Sequence, residues 1–184
     1  MYQIIRQILK TGIKTEAPPA PDLSLRVDGQ QQIREEILRL IGRALAIRHV
    51  DAGSCNGCDL ELHALNNAYY NLEGLGIRFV ASPRHADLLL VTGPVSRHME
   101  TALKRTYDAM PEPRLVVAVG ECGCNGGIFC PDSSIGGASY ASCGKISNVI
   151  PVDAAISGCP PTPVMLIKGI LAAVSARNKI SKKN

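Results

Sequence analysis

The chain reads as a small flavodoxin-like α/β fold, a doubly wound and mainly parallel sheet behind an N-terminal helical arm. Three observations predict it. Short runs rich in aliphatic and β-branched residues recur at Ile47 to Val50, Ile77 to Val80, Leu88 to Val91 and Leu115 to Val119, flanked by Gly and Pro; runs of that length suit strands better than helices. Stretches with helical periodicity lie between them, the alternation that builds parallel sheets covered on both faces. The length of 184 residues accommodates one such core rather than two.

Taken in order, residues 2 to 11 carry Ile4, Ile5, Ile8 and Leu9 on one helical face with Arg6 and Lys10 away from it. That is a short amphipathic helix suited to a membrane surface or a partner. The stretch TEAPPAPD, Thr15 to Asp22, is a proline-rich linker that cannot continue a helix. A second helix is expected from Gln30 to Leu45, with Ile33, Ile37, Leu40 and Ile41 as its buried stripe. After it come the four strands and a weaker fifth at Val149 to Val152, separated by helices at Asp59 to Leu72, Arg97 to Met110 and Pro163 to Ala176. The last opens on proline, a favoured first-turn residue. The organisation that follows is arm and linker at 1–21, a helical lead-in at 22–48, an α/β domain at 49–177 and a basic tail at 178–184.

Composition narrows the function classes. Apolar residues make up 46% and charged residues 20%, as in ordinary globular proteins, while aromatics are 4% with no Trp. Aromatic stacking on single-stranded nucleic acid is therefore disfavoured. The net charge of +4 is mild, and Arg6, Lys10, Lys14, Arg177, Lys179, Lys182 and Lys183 sit near the ends, which suits anionic lipid or an acidic partner, or simply two solvated termini. Neither a signal peptide nor a membrane span is legible, and a cytoplasmic location is expected. Seven cysteines in a reducing compartment point to metal or redox chemistry rather than disulfides.

In a doubly wound sheet, functional groups collect beyond the carboxyl ends of the strands. The cysteines fall there. Cys55 and Cys58 form a Cys-x-x-Cys in SCNGCD, where Gly57 is expected to let the backbone curl; alone this pair fits a thioredoxin-like redox site, half a zinc site or half a cluster site. Cys122 in GECGCNGG and Cys159 in GCPPTP bring the thiolates at this edge to four, a set for zinc or for an iron–sulfur cubane. Spacings of 63 residues from Cys58 to Cys122 and 36 from Cys122 to Cys159 disfavour zinc, whose structural sites draw on closely spaced pairs. Gly120, Gly123, Gly126, Gly127 and Gly158 crowd the single cysteines, either for tight turns or to bring backbone N–H groups near an anionic cluster. Cys124, Cys130 and Cys143 read as buried or unreactive thiols, with Cys124 the rival to Cys122.

The motifs SCNGCDLE, SPRHADLLLVTGPV, YDAMPEPRLVV, GECGCNGGIF, IPVD and GCPPTP, in this order from about His49 to Ala173, resemble the small cluster-bearing subunit of membrane-bound, energy-converting (group 4) nickel–iron hydrogenases and formate hydrogenlyases, and the homologous 20 kDa (B) subunit of complex I. The spacing Cys55-Asn-Gly-Cys58 resembles the hydrogenase branch, since the complex I subunit has two adjacent cysteines there. The resemblance implies one 4Fe-4S cluster on Cys55, Cys58, Cys122 and Cys159, beside the nickel–iron site of a separate large subunit, and an electron-transfer role with no catalytic residue on this chain. It implies as partners a hydrogenase-type large subunit, a ferredoxin-like iron–sulfur subunit and an integral membrane subunit, at the cytoplasmic face of the cell membrane, and no nucleic acid. In the complex I-like alternative, the cluster passes electrons to quinone; a zinc-stabilised interaction module is the third class. Glu61 matches an acidic position of the family and is a candidate for relaying protons or tuning potential, or for meeting the helix dipole. Arg84, His85 and Asp87 match a further motif, with His85 a proton-coupled neighbour or a loop cap. The segment CPDSSIGGASYASCG after GGIF departs from the family pattern.

Overall fold

The computed structural model describes residues 42–129 and 139–181, together with Tyr2, Ile5, Arg6, Lys10, Glu35 and Ile37 to Arg39. The proline-rich linker, Cys130, the segment to 138, Lys182, Lys183 and the rest of the arm lie outside the described residues.

Five strands form one parallel sheet: β1 (Leu45–Asp51), β2 (Ile77–Phe79), β3 (Leu88–Thr92), β5 (Leu115–Val119) and β7 (Ala154–Ile156), in the order β2-β1-β3-β5-β7. Counted within the sheet, that is the flavodoxin-like order 2-1-3-4-5. A two-stranded antiparallel ribbon of β4 (Val95–Ser96) and β6 (Ser142–Gly144) stands apart from it. Helices described from end to end are α1 (Gly57–Ala64), α2 (Arg97–Asp108), α3 (Gly120–Asn125) and α4 (Pro163–Ser181).

Strands β3 and β5 are buried along their whole length, as strands covered on both faces must be. Their alternation splits the core in two. Leu88, Leu90, Val117 and Val119 face α1 and α4 with Leu62, Leu166 and Ile170. Leu89, Val91, Val116 and Ala118 face α2 with Leu103, Ile146 and Ile150. Ile37, in a helical residue run, is buried in the first of these layers, as its place in the expected stripe requires.

Three expectations need correction. The helix expected to reach Leu45 stops short, because Gly42 has φ +73 and Leu45 already opens β1. The helix expected over Asp59 to Leu72 ends at Ala64: Asn67 Oδ1 accepts from the backbone N–H of Tyr69 and Tyr70, and Asn71 takes a left-handed conformation, the local competition that asparagine offers to a helix. The fifth strand lies at Ala154–Ile156, not Val149 to Val152. Pro151 has no N–H for a ladder, and the apolar run ahead of it packs Ile146 and Ile150 beneath the sheet. The turn after β5 is helical from Gly120 to Asn125.

Candidate metal centre

All the loops that matter leave the carboxyl ends of parallel strands. Cys55 lies between β1 and α1, Cys58 in the first turn of α1, Cys122 in α3 after β5, and Cys159 after β7. Asn56, not Gly57, makes the sharp turn of the first motif, with φ 70. Asp51 Oδ1 fixes the loop before it by accepting from the N–H of Gly53 at 2.8 Å and Ser54 at 2.7 Å. The loops of Cys122 and Cys159 are bound to each other through Glu121. Its N–H donates to Gly158 O at 3.0 Å, its Oε1 accepts from Gly158 N–H at 3.2 Å and its Oε2 from Asn125 Nδ2 at 2.9 Å.

The four thiols are one another's electrostatic neighbours. Burial pushes Cys58 up to about 11, and the charges of Asp59, Cys55, Cys122 and Cys159 add in the same direction. Cys122 is raised by burial, then by Cys159, Cys55 and Glu121. Cys55, Cys122 and Cys159 line an open cavity of about 820 Å³ with Glu121, Ile128 and Phe129. Cys58 stands beside Gly120, where a Cβ would come within 2.6 Å of its sulfur; a Cβ on Gly127 would lie 2.9 Å from that of Cys122. Both glycines have positive φ, so at these two positions the absent side chain both permits the turn and leaves room for a cysteine sulfur. Among the described residues, no three His, Cys, Asp or Glu side chains stand close enough to hold a single metal ion.

Cys124 faces elsewhere. Its Sγ is directed at the carbonyls of Ala118 (3.7 Å) and Ile156 (3.6 Å), and it packs against the α2-side core. Burial, then Glu121, raises its thiol, and no other described cysteine is among the causes. Cys143 donates to Glu100 Oε2 at 3.4 Å on that same α2 side of the sheet.

Glu61 is half-buried in α1, and its side chain makes no hydrogen bond among the described residues. A further carboxylate, Asp59, is tied into the sheet. Asp59 is 8% exposed and accepts from Ser54 Oγ and, at 2.9 Å, from the fully buried Thr92 Oγ1. His49 Nε2 lies 3.0 Å from Asp59 Oδ1 and 3.1 Å from Thr92 Oγ1. Burial outweighs Asp59 and Asp51 and lowers the His49 pKa below its ordinary 6.5, so the neutral ring donates one hydrogen bond here. This cluster ties the cysteine loop to β1 and β3. Sequence reasoning missed it, although the polar His49 and Thr92 within otherwise apolar strand runs were the available signal. Of the SPRHAD motif, His85 and Arg84 are exposed, while Asp87 pairs with Arg43 at 2.5 Å and accepts from Ala46 N–H at 3.1 Å, joining the start of β3 to β1.

Residues 55–173 match the profile of the family described as NADH ubiquinone oxidoreductase, 20 Kd subunit. The chain is similar to the probable membrane-bound hydrogenase subunit mbhJ of Pyrococcus furiosus, 38% identical over 80% of this chain and 84% of that one. It is 42% identical to the NADH-quinone oxidoreductase B subunit of Desulfovibrio desulfuricans over 75% and 70% of the two chains. Formate hydrogenlyase subunit 7 of Escherichia coli is 37% identical over 77% of this chain, which spans about half of that longer relative, 53%. Among solved structures, a chain of the membrane-bound sulfane sulfur reductase, an archaeal respiratory membrane complex, superposes with a TM-score of 0.58 at 30% identity, covering 81% of this chain and 75% of that one.

Proposed function

Because the chain belongs to the 20 kDa subunit family of NADH ubiquinone oxidoreductase, a family of oxidoreductase subunits, we propose that it is the electron-transfer subunit of a membrane-bound, hydrogenase-like complex. In this reading it holds one 4Fe-4S cluster on Cys55, Cys58, Cys122 and Cys159, next to the nickel–iron or equivalent site of a large partner subunit. An integral membrane subunit and a ferredoxin-like iron–sulfur subunit complete the assembly at the cytoplasmic face of the membrane. The observation that carries it is the grouping of those four thiols, from three segments, on one edge of the sheet, with Cys124 turned into the core.

The donor set fits a cubane. Each of its four irons takes one thiolate, and three of the thiols, Cys55, Cys122 and Cys159, line one cavity and act electrostatically on the fourth, Cys58. The cluster would supply one-electron storage at a potential set by charge, hydrogen bonding and burial. The chain's own part is to hold the sulfurs: Asp59, Ser54 and Thr92 fix the Cys55–Cys58 loop, and Glu121 locks the Cys122 and Cys159 loops together. Ile128 and Phe129, both exposed beside the cavity, would exclude water once a partner covers them. The Cys55-Asn-Gly-Cys58 spacing and the similarity to mbhJ favour the hydrogenase branch. The 42% identity to the B subunit of a quinone oxidoreductase supports the second reading, in which electrons pass to quinone.

Anaerobically purified protein, alone or with its partner, should contain about four irons and four sulfides per chain and give a reducible cubane resonance. One tightly held zinc in a colourless protein would overturn the proposal. Nickel analysis of the co-purified large subunit separates the two branches.

A further inference from the structure

Strand β2 pairs with β1 only as far as Phe79 opposite Ile47, whereas β1 runs on to Asp51. Where the two part, a second cleft of about 320 Å³ opens, lined by Arg48, His49, Leu62, His63, Asn66 and Phe79 among others. Among the described residues that line it there is one permanent cation and no carboxylate. Arg48 is half-buried, its Nε is sealed from solvent without a hydrogen-bond partner, and it enters no ion pair among the described residues. The carboxylates nearest to it in sequence are engaged elsewhere. Asp51 caps the Gly53 and Ser54 N–H groups, and Asp59 is held by Ser54, Thr92 and His49.

A guanidinium partly withdrawn from water with no counter-charge is stabilised by an anion that reaches its remaining N–H groups. From the unpaired Arg48 guanidinium that lines this cleft we infer a carboxylate-binding site at the parting of β1 and β2, distinct from the cysteine cavity. Arg48 meets the carboxylate, with Asn66 and His63 as further donors. The apolar wall of Leu62 and Phe79 takes a short aliphatic stem. That chemistry is supplied by a glutamate or aspartate side chain of an adjoining subunit, or by a free short-chain acid.

The test follows thermal unfolding of the full-length, anaerobically purified chain in butyrate and in its neutral isostere butyramide, at fixed ionic strength. Butyrate should raise Tm with saturation, as a ligand bound only by the folded state does, and butyramide should not. Arg48→Gln should abolish the saturable rise, Arg48→Lys should retain part of it, and Arg48→Met should raise Tm in the absence of any acid. A rise that is equal for butyramide, or unchanged in Arg48→Gln, overturns the site; should Arg48→Gln not fold, the butyrate–butyramide contrast on the wild-type chain decides alone. Repeating the titration on the assembled complex identifies the source: a retained response means a free acid, and a lost response means a subunit carboxylate already seated in the cleft.

Discussion

Cys122 and Cys124 are two residues apart in one short helix, which turns their side chains about 200° apart around its axis. One therefore faces the cavity with Cys55 and Cys159, and the other the carbonyls of β5 and β7. Replacing Cys122 by Ala should remove most of the iron, whereas Cys124→Ser should keep four irons per chain, since a hydroxyl can donate to the same carbonyls. Iron content and the resonance spectrum of both variants, purified side by side, check this; the opposite result would move the ligand assignment by two residues. Gly120→Ala is expected to cost about 1–3 kcal/mol through its left-handed backbone and, beyond that, to displace the Cys58 sulfur. Its iron loss should exceed that of a Gly76→Ala control, which shares the φ of +80 but whose Cβ would meet nothing within 4 Å.

At the scale of elements, α1 and its loop are fastened to the sheet by Asp59, Thr92 and His49. Thr92→Val preserves shape and removes the hydroxyl, leaving a buried carboxylate short of a donor. A destabilisation of roughly 1–3 kcal/mol is expected, measurable by urea unfolding of the apo chain. The elements differ in how much of them could be read beforehand. Strands β1, β2, β3 and β5 were legible because buried parallel strands need unbroken apolar runs, and α2 and α4 because their periodicity is long enough to register. Strand β7 was displaced by several residues because Ala154 and Ala155 carry little β signal and the richer run before Pro151 is used for packing. The grouping of the four cysteines followed from their common place after strands. The Asp59 cluster did not, since hydrogen bonds between residues 49, 59 and 92 depend on strand register, which local patterns do not contain.

For the molecule as a whole, His49 makes acid stability a readout of the buried network. Its folded pKa lies below the ordinary 6.5, so between those values the unfolded chain binds more protons, and stability rises with pH. The contribution of a neutral His49 is full above about pH 6.5 and is lost as the pH falls below it. His49→Gln should flatten that part of the stability–pH curve in denaturant titrations of the apo chain. An unaltered curve would mean the ring is not held neutral.

The four thiols come from segments that meet only when β1, β5 and β7 are aligned in one sheet. No short stretch of chain can assemble the set, in contrast to a zinc finger, whose ligands sit close together and fold around their ion. For the proposed cluster this fixes an order of biogenesis. The long-range parallel pairings, the slow part of folding in such topologies, precede loading, so the species that receives iron and sulfide is an already folded apo subunit with its cysteine edge open. In the proposed assembly, the large subunit that closes that edge arrives last, and premature docking would trap an empty site.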